Sequence, residues 1–273
     1  MTQRTKNRKM RKVTASKQTE VAYRREVNSI LKHMLNIALD DVRSVEVADR
    51  IDWLRSMTRV NSSINAKLDN IDFEDLAQRV ARRIVGKTAA INAKRFSESA
   101  DKTIGIDLKG FLTRSTPEVL DFLEISTQYN ASLIKSISVE FHQEISKTIM
   151  DNVYAGERST NLITQLMDRY HVSESKAKFL ARDQTSKMNG DLTRVRAEAI
   201  GAKTYIWSGS LDERERESHR VMEGKLCKYS DPTVYSDDGG KTWKKRKAIK
   251  GVELHPSQDY RCRCVGRAVV NFE

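Results

Sequence analysis

Two cysteines separated by one residue, Cys262 and Cys264, are the strongest chemical feature of the chain. Thiolates and imidazoles are ligands that zinc prefers. A four-ligand set for a tentative zinc site can be counted: His219, His255, Cys262 and Cys264. In a strand the two cysteines would face the same side and could share one ion. Free or redox-active thiols and a disulfide are the open alternatives.

The segment that contains His219 offers a second candidate site. It has the pattern Trp207-x4-Asp212-x-Arg214-x-Arg216-x2-His219. Asp212 follows a predicted strand and is a candidate N-cap, and His219 lies two helical turns further on. An Asp and a His on one helix face can form an acid–base pair or part of a metal site. Capping and packing explain the same residues, so Asp212, Arg216 and His219 are candidates only.

A third polar pattern lies on a helix predicted to include Phe179. Arg182, Thr185 and Asn189 are spaced i, i+3 and i+7, so they share one face. A polar stripe among apolar neighbours hydrogen-bonds an adjacent sheet or a ligand, or it forms a buried scaffold network.

Two basic segments are candidates for contact with nucleic acid. The first seventeen residues hold seven Lys and Arg and no acidic residue, which predicts a disordered basic arm over residues 1–19. Residues 241–247 place an aromatic ring inside a basic cluster that can grip phosphates and stack a base. A solubilising tail and a solvated loop are the alternatives. The candidate residues are Arg4, Lys6, Arg8, Lys9, Arg11, Lys12, Trp243, Lys244, Lys245 and Arg246.

The bulk composition limits the class of protein. The chain has 273 residues and a formal net charge of +12, which favours polyanionic partners. The sequence has no stretch of about 18 apolar residues, so we expect no membrane-spanning segment. The basic N-terminus is not followed by an apolar segment, so we expect no secretory signal. An odd count of 3 cysteines argues against a secreted disulfide framework and for folding in a reducing cytoplasm.

Apolar periodicity predicts a mostly helical domain over residues 20–155. Helical spacing covers residues 20–51, 51–60 and 73–85, and residues 105–110 are expected to be a connector or short strand. Thr116-Pro117 marks the start of a long helix that Gly156 ends.

Residues 159–201 are predicted to form two helices, 159–170 and 174–200, with a turn at His171-Val172 and a stop at Gly201. This spacing raises the hypothesis of a helix-turn-helix that reads DNA bases. An αα-hairpin within a bundle is the commoner arrangement and the favoured interpretation.

After Gly201 the periodicity changes to that of strands. We predict a strand at 203–208, a short helix at 212–222, a hairpin turn at 237–240 and a final strand at 262–270. The predicted fold class is therefore α+β: a mostly helical N-terminal region followed by a small α+β C-terminal domain, residues 156–273, with a short antiparallel sheet.

The order of these pieces resembles the phage Mu F-like head-morphogenesis and minor capsid protein family. The matching residues are Ala181-Arg182, Thr185, Asn189, Gly201, Trp207, Asp212, Arg214, Arg216, His219, Gly224, His255-Pro256 and Cys262-Arg263-Cys264. Their order is more specific than any single piece. Gln184 stands where the family usually has an acidic residue, and the gap between Pro256 and Cys262 is longer than the shortest family form.

The resemblance implies a minor head protein of a tailed bacteriophage, inside the capsid and associated with the portal. Its partners would be the portal protein, head and scaffold proteins and phage genomic DNA. It would assemble in the host cytoplasm, act in head morphogenesis and DNA packaging or ejection, and have no enzymatic activity. The alternatives are a metal-dependent hydrolase or transferase acting on nucleic acid through the His, Asp and Cys residues, and a pure DNA-binding module.

Overall fold

The computed structural model describes residues 8–45, 50–105, 116–155 and 159–270. Contacts divide the chain into two compact units. Unit 1 comprises residues 1–19, 85–126 and 182–273, and unit 2 comprises residues 20–84 and 127–181. This division differs from the predicted boundary at residue 156, because four long helices each cross a unit boundary.

Long helices make up most of the described chain. They are α1 (Lys17–Arg43), α2 (Arg50–Asp69), α3 (Phe73–Ile104), α4 (Pro117–Ala155) and α5 (Ser159–Ala199). The start of α4 at Pro117 confirms the helix start predicted from Thr116-Pro117, where proline fits the first turn because its missing N–H has no helical partner. The predicted connector at 105–110 and the stop at Gly156 fall almost entirely outside the described residues.

The predicted break at His171-Val172 is wrong, because α5 continues without interruption through both residues. The sequence from Ser159 to Asn189 has neither glycine nor proline, so nothing in it ends a helix. His171 instead lies one turn before Glu174, with the imidazole nitrogen 3.6 Å from the carboxylate. The turn that a helix-turn-helix requires is therefore absent from residues 159–199.

Gly201 ends α5 as predicted. Its φ of +82° is left-handed, where glycine meets no Cβ clash. The amide of Gly201 donates to the Glu198 carbonyl and the amide of Ala202 donates to the Ala197 carbonyl, both at 2.9 Å. This pair of bonds is the Schellman motif, and it directs the chain from the helix into the sheet.

The sheet of unit 1 is antiparallel, and the predicted α+β class is confirmed. Its strands are β1 (Arg8–Lys9), β2 (Thr204–Ser208), β3 (Leu226–Lys228), β4 (Val234–Ser236), β5 (Lys244–Lys245) and β6 (Val265–Val270), in the order β1-β6-β2-β3-β4-β5. Tyr205 and Trp207 project from β2 into the core, where they meet Phe96 of α3 and Ala197 of α5.

Residues 8–19 are not a disordered arm. Arg8 pairs with Val270 and Lys9 with Val269, so the segment forms an edge strand of the sheet. Met10 and Val13 are only 1% and 3% exposed, and both belong to the core of unit 1. The sequence analysis predicted disorder from the high charge of the segment and gave no weight to these two apolar residues. Arg4 and Lys6 of the predicted arm lie outside the described residues.

Two elements near the candidate site are shorter than predicted. The helix expected at 212–222 is reduced to α6 (Glu217–Arg220), because the Asp212 carboxylate accepts the Arg214 amide at 3.1 Å and closes a turn instead. Strand β6 begins at Val265 rather than at Cys262, and Arg261 takes a left-handed φ of +56° just before it. The two cysteines therefore lie on the segment that leads into β6.

Among the described helices, none has an apolar stretch long enough to cross a membrane.

Replacing Met10 with Ala is expected to destabilise the protein by about 2–5 kcal/mol, because it leaves a cavity in a packed core. Arg11→Ala is the matched control, since the neighbouring Arg11 side chain is exposed. The free energy of unfolding from urea titrations measures both. A Met10→Ala protein as stable as wild type would mean that the N-terminal segment does not pack in solution.

Candidate metal centre

Three of the predicted site residues come together in unit 1. His219 lies on α6, and Cys262 and Cys264 lie on the segment before β6. The Nδ1 atom of His219 is 3.4 Å from Sγ of Cys264 and 3.5 Å from Sγ of Cys262. The three donor atoms all lie within 4.8 Å of one another, and all three residues are buried.

Asp259 orients the ring of His219 from its other side. Its Oδ2 atom is 2.9 Å from Nε2 of His219. A carboxylate accepts hydrogen bonds, so Nε2 donates to Asp259 and Nδ1 faces the two sulfurs. Trp207 packs edge-on to the imidazole at 5.7 Å between ring centroids. Arg216 donates to Asp259 at 2.9 Å and holds that carboxylate in place.

Asp212 does not partner His219, although their spacing suggested it. Its carboxylate is paired with both terminal nitrogens of Arg263. The acidic partner of His219 is Asp259, which the sequence analysis missed because Asp259 is forty residues further along the chain.

Backbone amides and neighbouring groups stabilise a thiolate at Cys262. The amides of Ser257 and Cys264 each point at its Sγ from 3.4 Å. A hydrogen bond from Cys264 lowers the pKa of Cys262, and the same bond raises the pKa of Cys264. Burial disfavours the imidazolium of His219, but its bonds to Cys262 and Asp259 outweigh that effect and raise its pKa.

Helix α5 supports the loop that carries the cysteines. Ser186 donates from its hydroxyl to the Cys262 carbonyl at 2.8 Å. Asp183 accepts the Arg261 amide at 2.9 Å. Gly190 lets the loop approach closely, since a Cβ there would lie 2.6 Å from the Cβ of Ser257. The polar residues of α5 thus position the ligand loop and do not themselves join the donor group.

A cavity of about 240 Å³ opens beside the three donor residues. Five arginines contribute to its wall, and two of them, Arg216 and Arg263, are paired with Asp259 and Asp212. The lining residues besides the donors are Arg182, Ser210, Arg214, Glu215, Arg216, Arg261 and Arg263. The site therefore combines soft metal ligands with a cationic wall, an arrangement able to bind an anionic group next to a metal ion.

His255 is not part of the donor group. Its Nδ1 lies 3.1 Å from the Tyr205 hydroxyl, and Arg246 donates to the same hydroxyl at 3.0 Å. Burial, together with the nearby Arg194 and Arg246, lowers the pKa of His255 to about 4. The structure thus places His255 in a hydrogen-bonded core network and brings together only His219, Cys262 and Cys264 of the predicted set.

The three α5 residues singled out by spacing have different environments. Arg182 lines the cavity, and Thr185 is buried at 1% exposure. Asn189 donates to the Val13 carbonyl at 2.8 Å and accepts from Asn92 at 3.0 Å. Asn189 therefore belongs to a buried scaffold network, which was one of the two interpretations of the stripe.

Of the residues predicted to contact nucleic acid, some are exposed and others are buried. Arg246 is completely buried and donates to the Val234, Val252 and Leu254 carbonyls, so its assignment to a nucleic-acid surface is wrong. The exposed residues lie at the two opposite edges of the sheet, on or beside β1 and on β5. They are Arg8, Lys9, Arg11, Lys12, Lys244 and Lys245. Trp243 is half-buried, with the Lys228 ammonium 4.3 Å from its ring centroid.

His255 is expected to make stability depend on pH below neutrality. Its pKa is about 4 in the folded protein against an ordinary value of 6.5, so the unfolded chain binds the extra proton between these values. The contribution is present in full above pH 6.5 and is lost as the pH falls toward 4. Urea titrations at about pH 7 and about pH 5 should show a smaller acid-induced loss for His255→Gln than for wild type. Equal losses would contradict the assignment.

The comparisons with known proteins show a family similarity in the C-terminal part of the chain. Residues 143–267 match the model of the family described as Phage Mu protein F like protein. An uncharacterized protein of Haemophilus influenzae is 30% identical over 267 residues, which are 96% of this chain and 56% of the relative. The minor head protein GP7 of Bacillus phage SPP1 is 26% identical over 140 residues, 50% of this chain and 43% of the relative.

The chain thus spans about half the length of these curated relatives. No solved structure matches it significantly. The family match covers α6, the sheet from β2 to β5, the donor residues and the loop that carries them. Residues 143–267 are therefore similar to the Phage Mu protein F-like family, the family that the order of motifs along the sequence predicted.

Proposed function

We propose that the chain is a minor head protein of a tailed bacteriophage and acts in head morphogenesis. The observation that carries this proposal is the family match over residues 143–267. The similarity to a phage protein named as a minor head protein supports it. The site geometry is compatible, because the donor residues and the cavity lie within one folded unit that long helices hold in place.

We further propose that the protein lies inside the head beside the portal and contacts the packaged DNA. The support is electrostatic: a net charge of +12, and exposed basic residues at both edges of the sheet. Phosphate contacts of this kind need only exposed Lys and Arg side chains.

Co-expression tests the location. The full chain, produced with the portal, scaffold and major head proteins of its phage, should co-sediment with procapsids and be depleted from particles assembled without portal. Copy number measured by quantitative mass spectrometry should be far below that of the major head protein. A chain that stays in the soluble fraction when procapsids form would contradict the proposal.

Salt titration tests the DNA contact. Double-stranded DNA affinity should fall steeply with salt, and the double variant Lys244→Ala/Lys245→Ala should reduce the slope of log K against log salt by about 2, since each phosphate contact contributes about 0.9. Lys147→Ala is the control, because Lys147 is an exposed residue of α4 in unit 2. Unchanged slopes in the double variant would exclude β5 from the contact.

A further inference from the structure

We propose that His219, Cys262 and Cys264 bind one zinc ion through Nδ1 and the two Sγ atoms. This inference is independent of the proposed head function, and each can fail without the other. In tetrahedral zinc sites Zn–S is about 2.3 Å and Zn–N about 2.0–2.1 Å, so a bound nitrogen and sulfur are about 3.5 Å apart. The observed distances from Nδ1 to the two sulfurs are 3.4 and 3.5 Å. Both nitrogen–sulfur distances therefore match a tetrahedral site, and all three donor atoms lie within 4.8 Å of one another.

The surroundings of His219 match those of a metal-bound histidine. Histidines that bind metal usually donate their second ring N–H to a carboxylate, which fixes the tautomer and directs the lone pair to the ion. Asp259 occupies that position at 2.9 Å from Nε2, and Arg216 holds the carboxylate. An imidazole that served only for packing would not need a carboxylate at Nε2 and two thiols at Nδ1.

The surroundings of the cysteines are those of metal-bound thiolates. Two backbone amides, of Ser257 and Cys264, converge on Sγ of Cys262 from 3.4 Å. Ser257 adopts a left-handed φ of +73°, and its hydroxyl donates to the Cys264 carbonyl at 2.8 Å. The loop is thus folded around the sulfur, and the amide dipoles stabilise negative charge on it.

The remaining coordination position faces the cavity. All three donor residues contribute to its wall, so a fourth ligand can enter from that side. The carboxylate of Glu215 is the neighbouring protein acid, with Oε1 3.5 Å from Sγ of Cys264. Three protein ligands with an accessible fourth position are the pattern of zinc sites that exchange a ligand. The five arginines favour an anion in that position.

Metal content is the first test. The full chain without an affinity tag is purified under reducing conditions, loaded with zinc and passed through a desalting column. We expect a zinc-to-chain ratio near one by elemental analysis. Cobalt in place of zinc should give thiolate-to-cobalt charge-transfer absorption and the visible bands of a tetrahedral ion. These measurements use the wild-type protein and do not depend on the folding of a variant.

Variants assign the ligands. His219→Ala, Cys262→Ser and Cys264→Ser should each lower zinc affinity by at least about 100-fold, and Asp259→Asn by about 10–100-fold, the usual effect of removing the carboxylate behind a ligand. Cys227→Ala and His255→Gln are the matched controls. Both replace a buried residue of the same type that is outside the donor group, so both should bind zinc as wild type does.

Three outcomes would overturn the proposal. The first is zinc well below one equivalent in folded wild-type protein. The second is cobalt absorption without thiolate bands. The third is a Cys262–Cys264 disulfide, seen as a loss of two hydrogens by mass spectrometry in protein prepared with reductant and zinc, which would assign the pair to redox chemistry.

Discussion

The close approach of α5 to the loop of residues 255–264 is the contact on which the candidate site depends. Gly190 allows it, because any larger residue there would meet Ser257. Asp183 and Ser186 then bind the backbone of Arg261 and Cys262 through two hydrogen bonds. The helix is long and ends in a Schellman motif, so it presents these groups from a rigid backbone. The loop has little regular structure of its own, and its shape follows from this contact.

A second buried network supports the sheet beside the site. Arg246 donates to three backbone carbonyls and to the Tyr205 hydroxyl, which in turn lies against His255. A buried guanidinium is tolerated only when its donors are satisfied, and here they bind the chain segments around β4 and residues 252–254. The network explains why two residues that looked functional in the sequence, Arg246 and His255, have structural roles.

Local patterns in the sequence predicted the regular elements well. Apolar periodicity located the long helices but underestimated the lengths of α2 and α3 and divided α5 in two. Thr116-Pro117 gave the start of α4, and Gly201 the end of α5. The error in the N-terminal segment arose because long-range contacts override local composition. Met10 and Val13 are two apolar residues in a basic segment, and only a partner strand from the other end of the chain makes them part of a core.

The sequence predicted the candidate ligands of the site but not the residues that hold those ligands in position. Cys-x-Cys and His219 carry a chemical signature that can be recognised without a structure. Asp259, Glu215 and Ser186 are common polar residues whose position beside the ligands comes from folding alone. In the sequence His255 looked as suitable a ligand as His219. The structure distinguishes them, because His255 contacts the Tyr205 hydroxyl, to which Arg246 donates, and so belongs to the core network.

The pairing of β1 with β6 has a consequence for the order of folding. These strands come from nearly opposite ends of the described chain, so joining them closes a very large loop and is entropically costly until the intervening structure has formed. Strand β6 can therefore pair with β2 on one side while its other edge is still open. An open edge is a template for pairing with another chain. The short, basic strand β1 covers that edge, and its like-charged side chains discourage a second copy from adding to it.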